Sequence, residues 1–63
     1  MSQKQNILSH MKTYGTITPL EALQKYGCFR LGARIADLKE DGLVIKTEMV
    51  KENGKRYARY SLV

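Results

Sequence analysis

Scarcity shapes the first reading of this chain. It has one cysteine, one histidine and one proline in 63 residues, and no tryptophan. A lone thiol, Cys28, cannot close an internal disulfide or build a thiolate cluster. With His10 as the single imidazole, no ligand set for a structural zinc ion is present. Apolar runs are only a few residues long, far short of the roughly 20 that span a membrane. No apolar block with a small-residue cleavage site follows Met1. The expectation is therefore a cytoplasmic protein with no secretory signal and no membrane partner. Linkers, repeats and low-complexity stretches are missing. So are a Ser/His/Asp set, paired carboxylates and a nucleotide fingerprint. No catalytic residue, metal or cofactor is expected on these grounds, and a chain this short has little room for a deep, walled site.

What the chain does have is an ordinary globular balance, 43% hydrophobic and 27% charged. That suits one small domain over residues 1–63. Eleven Lys and Arg stand against six Asp and Glu, a net charge of +5. On so short a chain this favours an anionic partner, nucleic acid before membrane, although solubility alone also explains it.

The spacing predicts three helices. The first covers Ser2 to Tyr14, with Ser2 as cap, Ile7, Leu8, Met11 and Tyr14 on one face, and Gly15 as its end. His10 falls off that face and reads as a surface residue. Thr16-Ile17 can pair as a two-residue strand. Thr18-Pro19-Leu20-Glu21 has the hydroxyl, Pro and Glu of a capping box, and it starts a second helix that runs to Tyr26 and stops at Gly27. A third helix is expected from about Phe29 to Asp41, ending at Gly42, with Leu31, Ile35 and Leu38 as its buried stripe. Arg30, Arg34, Asp37 and Asp41 form its polar line, and Asp37 can hold the Arg34 guanidinium.

From Leu43 the period changes to that of a strand. Asn53-Gly54 is a hairpin turn, and Arg56 to Leu62 is the return strand. Counting back from the turn sets Glu52 opposite Lys55, Val50 opposite Tyr57, Met49 opposite Ala58, Glu48 opposite Arg59, Thr47 opposite Tyr60, Lys46 opposite Ser61 and Ile45 opposite Leu62. One face is then mostly apolar and is expected to lie on the helices. The other gains the Glu48–Arg59 pair. Leu8, Met11, Ile17, Leu20, Leu23, Leu31, Ile35, Leu38, Ile45 and Leu62 are the expected core, with Tyr14, Tyr26 and Tyr60 at its rim. Ile17 is expected to add a third strand at the hairpin's edge.

Helix, short strand, helix, helix, hairpin is the order of an α+β winged helix-turn-helix: three helices, a short strand and a C-terminal β-hairpin wing. Three stretches carry a further likeness. They are Ile17-Thr18-Pro19-Leu20-Glu21-Ala22-Leu23; Cys28-Phe29-Arg30-Leu31-Gly32-Ala33-Arg34-Ile35 with Asp37-Leu38; and Ile45-Lys46-Thr47-Glu48 with Asn53-Gly54-Lys55-Arg56. Over nearly the whole chain these resemble a family of small helix-turn-helix proteins found in bacteriophages and prophages. The resemblance implies a winged-helix fold and DNA binding. It implies no operator and no catalytic residue.

In such folds the third helix enters the major groove, its first residues nearest the base edges. Arg30 and Arg34 can each fork onto a guanine or grip a phosphate. Gly32 and Ala33 leave room for close approach. Phe29 can touch a thymine methyl or fill the corner between helices, and the corner is preferred. At the hairpin tip Lys51, Lys55, Arg56 and Arg59 face Glu52 alone, which suits phosphates beside the major groove. Arg59 is discounted for its pairing with Glu48, and Lys46 is a weaker phosphate contact. The plainer readings are a solvated polar face, an Arg34–Asp37 surface pair and an ordinary charged hairpin tip. Thr18 can cap its helix or offer its first turn to a phosphate. Cys28 reads as a cap or small core residue, with a redox switch as alternative. Tyr57 faces the outer side of the wing.

Double-stranded DNA is therefore the expected partner, for transcription regulation or an accessory role in recombination or excision. A single module covers only about 600–1,000 Å². Specificity would then need a homodimer, a cooperative array on DNA or a partner protein. Asp37, Glu40 and Asp41 make the third helix rather acidic for a DNA reader. That keeps open an alternative, in which the same basic face grips and inhibits a host protein.

Overall fold

Capping chemistry sets the helix starts. In the computed structural model, which describes residues 2–63, helix α1 spans Gln3–Tyr14, α2 Pro19–Tyr26 and α3 Leu31–Glu40. Ser2 Oγ accepts from the Gln5 N–H, and Gln5 Oε1 accepts from the Ser2 N–H. Thr18 and Glu21 make the same reciprocal box at α2. Gly27 ends α2 in the left-handed region at φ +64°, where a side chain would be strained.

The hairpin has the register expected. Strands β2 (Ile45–Glu52) and β3 (Lys55–Leu62) pair antiparallel from Glu52↔Lys55 back to Ile45↔Leu62. Asn53 and Gly54 both have positive φ, as this tight turn requires. Strand β1 (Thr16–Ile17) pairs with the other side of β3, so the sheet order is β1-β3-β2. Three helices and this antiparallel sheet make the α+β winged helix-turn-helix architecture.

The core is Ile7, Met11, Ile17, Ala22, Cys28, Leu31, Ile35, Leu38 and Ile45. Leu8, Tyr26, Leu43, Tyr60 and Leu62 pack on it partly buried. Four expectations need correction. First, α2 buries Ala22, while Leu20 and Leu23 are exposed. Its inward position is filled by the small side chain, and the two leucines lie on the other side. Second, His10 is only 2% exposed. Helix α1 packs against α2 as well as against the sheet, so its buried stripe widens to take in His10 beside Ile7 and Met11. There His10 Nδ1 lies 2.9 Å from the Tyr26 hydroxyl and Nε2 lies 3.6 Å from Glu21 Oε2. Third, Tyr14 is exposed beside His10, with Lys25 Nζ 5.1 Å from its ring centre.

Fourth, the hairpin's apolar face is covered only at its base. Ile45 is buried, but Met49 is 65% exposed. Length is the reason. Eight residues of strand reach about 26 Å, whereas the ten of α3 reach about 15 Å. The outer half of the hairpin overhangs the helices.

Candidate nucleic-acid interface

Helix α3 is held from one side. Leu31, Ile35 and Leu38 are all buried in the core, which turns the opposite side outward. Tyr60 of β3 lies beside this helix: a Cβ added at Gly32 would sit 4.0 Å from its hydroxyl. The start of α3 differs from expectation. Phe29 lies in the turn before the helix, and Arg30 is the N-cap residue, not part of the first turn. The chain bends at Phe29 between Gly27 and the start of α3. Cys28 points inward, with its N–H donating to the Ala22 carbonyl at 3.1 Å, and takes the corner position. Phe29 points out and is 85% exposed, so it does not fill the corner.

Arg30 is exposed and makes no side-chain cap. Its carbonyl accepts from the Ala33 and Arg34 N–H groups. The first turn of α3 contains no acidic residue. Arg34, one turn on, is half-buried, with Nε 3.2 Å from Asp37 Oδ2. That N–H is not aligned for a hydrogen bond, so the contact is an ion pair. Ala33 is partly buried beside it. The acidity of α3 lies toward its far end, where it is largely answered: Asp37 meets Arg34, and Asp41 Oδ2 accepts from Lys4 Nζ at 2.7 Å. This bond and the Asp41 charge raise the Lys4 pKa above its ordinary 10.5.

Two adjoining concavities connect this helix to the hairpin. The smaller, about 310 Å³, is lined by Gln3, Gly27, Phe29, Arg30 and Arg34. The larger, about 650 Å³, runs from Thr18, Leu20, Leu23 and Phe29 across to Lys55, Arg56 and Tyr57. Phe29 belongs to both. The fold thus gathers Arg30, Arg34, Phe29, Lys55 and Arg56 around one surface. Lys51 is exposed opposite Arg56, next to that cluster. Lys46 is not part of it. Strand alternation sets Lys46 on the face of Glu48 and Arg59, away from the face of Ile17, Tyr60 and Ile45 that the helices cover.

Arg59 is ion-paired with Glu48, as its register position required. The Tyr57 hydroxyl donates to Glu52 Oε2 at 3.0 Å. This hydrogen bond, helped by partial burial and the Glu52 charge, holds the phenol above its ordinary pKa of 10.0. Sequence reasoning missed the apolar floor of the larger concavity. Spacing alone puts Leu20 and Leu23 inward, whereas both are exposed. The signal that separates the two faces is Ala22: the one small aliphatic residue among them marks the side that packs closely.

Among the described residues no helix is long and apolar enough to cross a membrane, and no cluster of His, Cys, Asp and Glu is placed to hold a metal. The family model of the winged helix-turn-helix domain matches residues 2–63. Neither a curated protein nor a solved structure matches the chain.

Proposed function

Since this chain belongs to the winged helix-turn-helix domain family, we propose that it binds double-stranded DNA sequence-specifically, with α3 in the major groove and the hairpin tip on the flanking backbone. One observation carries the reading: α3 is anchored by Leu31, Ile35 and Leu38, Arg30 and Arg34 line the smaller concavity, and Phe29 joins it to the larger one, which reaches Lys55 and Arg56. In this reading Arg30 addresses base edges. Arg34, restrained by Asp37, contributes less freely, and Ala33 lets the helix approach. Lys51, Lys55 and Arg56 neutralise phosphates. Lys46 is left at the margin.

The role that fits is transcription regulation or an accessory part in recombination, in the bacteriophage or prophage setting that the sequence resemblance suggests. One copy has a small footprint, so a second copy or a cooperative array on DNA supplies the remaining specificity. Salt dependence tests the reading. Three phosphate contacts from the hairpin tip release counterions such that affinity for random duplex falls about 40-fold between 50 and 200 mM salt. Anisotropy of a labelled duplex measures this. Absence of binding at the lower salt would sink the proposal. Substituting Lys55 and Arg56 together by Ala should flatten the slope on every sequence alike, and an unchanged slope would remove the hairpin from the footprint.

A further inference from the structure

The larger concavity has a chemistry that DNA leaves half used. Its cations suit phosphate, but Leu20, Leu23 and Phe29 converge on it as exposed apolar side chains. Singly exposed apolar residues need no explanation; a set that converges in one groove marks an interaction surface. Leu20 and Leu23 lie one turn apart on the same side of α2, and Phe29 stands at the end of the groove nearest α3. Across from them Lys55 and Arg56 are exposed and form no ion pair among the described residues. Glu52, the carboxylate beside them, already accepts the Tyr57 hydroxyl.

We propose that this groove seats an amphipathic helix of a partner protein, its apolar residues on Leu20, Leu23 and Phe29 and its flanking acidic residues against Lys55 and Arg56. Helices dock into such grooves through apolar residues repeating at three- and four-residue spacing, and acidic flanks meet the basic rim. A second copy is the poorer occupant, because this chain carries +5 and would bring cations to cations. Duplex DNA is poorer too: it satisfies the rim but offers the two leucines little apolar surface. Lys55 and Arg56 then serve both ligands, so an occupied groove excludes DNA from the hairpin tip. That competition rests on the DNA-binding reading; occupancy of the groove does not.

The test uses the full chain and three labelled 16-residue peptides, read by fluorescence anisotropy. One repeats Leu at helical spacing among Glu and Ala, one replaces Glu by Lys, and one scrambles the first. The acidic amphipathic peptide should bind at least about tenfold more tightly than either control. Leu20→Gln with Leu23→Gln should weaken it about tenfold or more. The same variant should keep its melting curve and hold duplex DNA within about twofold of the parent. Lys55→Glu with Arg56→Glu should turn the preference toward the Lys peptide. The proposal is overturned if no peptide binds at millimolar concentration, if the scrambled peptide binds equally, or if the leucine variant weakens duplex DNA instead. The two arms separate the readings: duplex binding without peptide binding removes only the groove's partner, and peptide binding without duplex binding removes only the DNA assignment.

Discussion

Helices α2 and α3 begin twelve residues apart in the same motif, yet their N-termini are built on opposite plans. At α2 the free N–H groups are answered from within: Thr18 Oγ1 accepts from Glu21, and Glu21 Oε1 accepts from Thr18. An acidic residue sits in the first turn, where the helix dipole favours it. At α3 the cap residue is Arg30, no side chain caps the helix, and the first turn holds no acid. A capped end is self-sufficient and repels an incoming anion. An uncapped end with an arginine at its mouth leaves its donors and its charge for a partner. The contrast teaches that the two helix starts differ in chemistry and not in support: the start of α2 is satisfied from within, while α3, anchored by Leu31, Ile35 and Leu38, keeps a start that no side chain caps.

The largest expected effect strikes the support that both ends share. Leu38→Ala empties a fully buried position and should cost about 2–5 kcal/mol, with loss of cooperative folding by urea melt and of every binding activity together. A variant that melts like the parent would show that α3 is not anchored there. Arg30→Ala comes next. It should weaken a duplex site selected from random sequence by about 1–3 kcal/mol, and random duplex by less, with the melting temperature unchanged. Equal losses on both duplexes would make Arg30 a phosphate contact; a lowered melting temperature would make it structural and erase the contrast with α2.

Thr18→Ala is the mirror experiment. It should cost about 1 kcal/mol of stability, a drop of about 4–8 °C in a domain of this size, while the folded fraction binds DNA as before. If DNA binding falls and stability holds, α2 rather than α3 presents its end to phosphate. The smallest effect concerns Lys4 and Asp41. Because the folded-state pKa of Lys4 is raised, its pairing stabilises fully below the ordinary 10.5 and fades as pH climbs through the raised value. Lys4→Met should therefore melt slightly below the parent at neutral pH, with the gap closing in strongly alkaline buffer. A gap independent of pH would assign the effect to packing.

Much of the fold was legible because its determinants are local. The register of the hairpin follows from the Asn53-Gly54 turn and a two-residue repeat, and each pair is found as counted. The Thr18–Glu21 box and the Arg59–Glu48 pair are likewise readable from neighbours in chain or register. The stripe of α3 was legible because Leu31, Ile35 and Leu38 are its only large aliphatic residues. Helix α2 was not, since it offers two apolar faces in eight residues. Periodicity states which residues share a face; it does not state which face another element will cover. His10 was misplaced for the same reason, as its burial depends on where α2 lies against α1. In the candidate site Arg30, Arg34, Lys55 and Arg56 follow from charge and position, whereas the exposure of Phe29 and the apolar groove beside it depend on how α2 and the hairpin approach each other.

The chain alone, then, decided the element order, the strand register, the caps that start α1 and α2, and the sign of its surface charge. These depend on interactions between residues close in sequence or paired across a tight turn, whose geometry leaves few options. Tertiary packing decided which side of α2 is wet, that His10 is enclosed by Tyr26 and Glu21, and that Phe29 joins the arginines of α3 to the cations of the hairpin. Those outcomes turn on how closely whole elements approach, and that is set jointly by all the side chains between them.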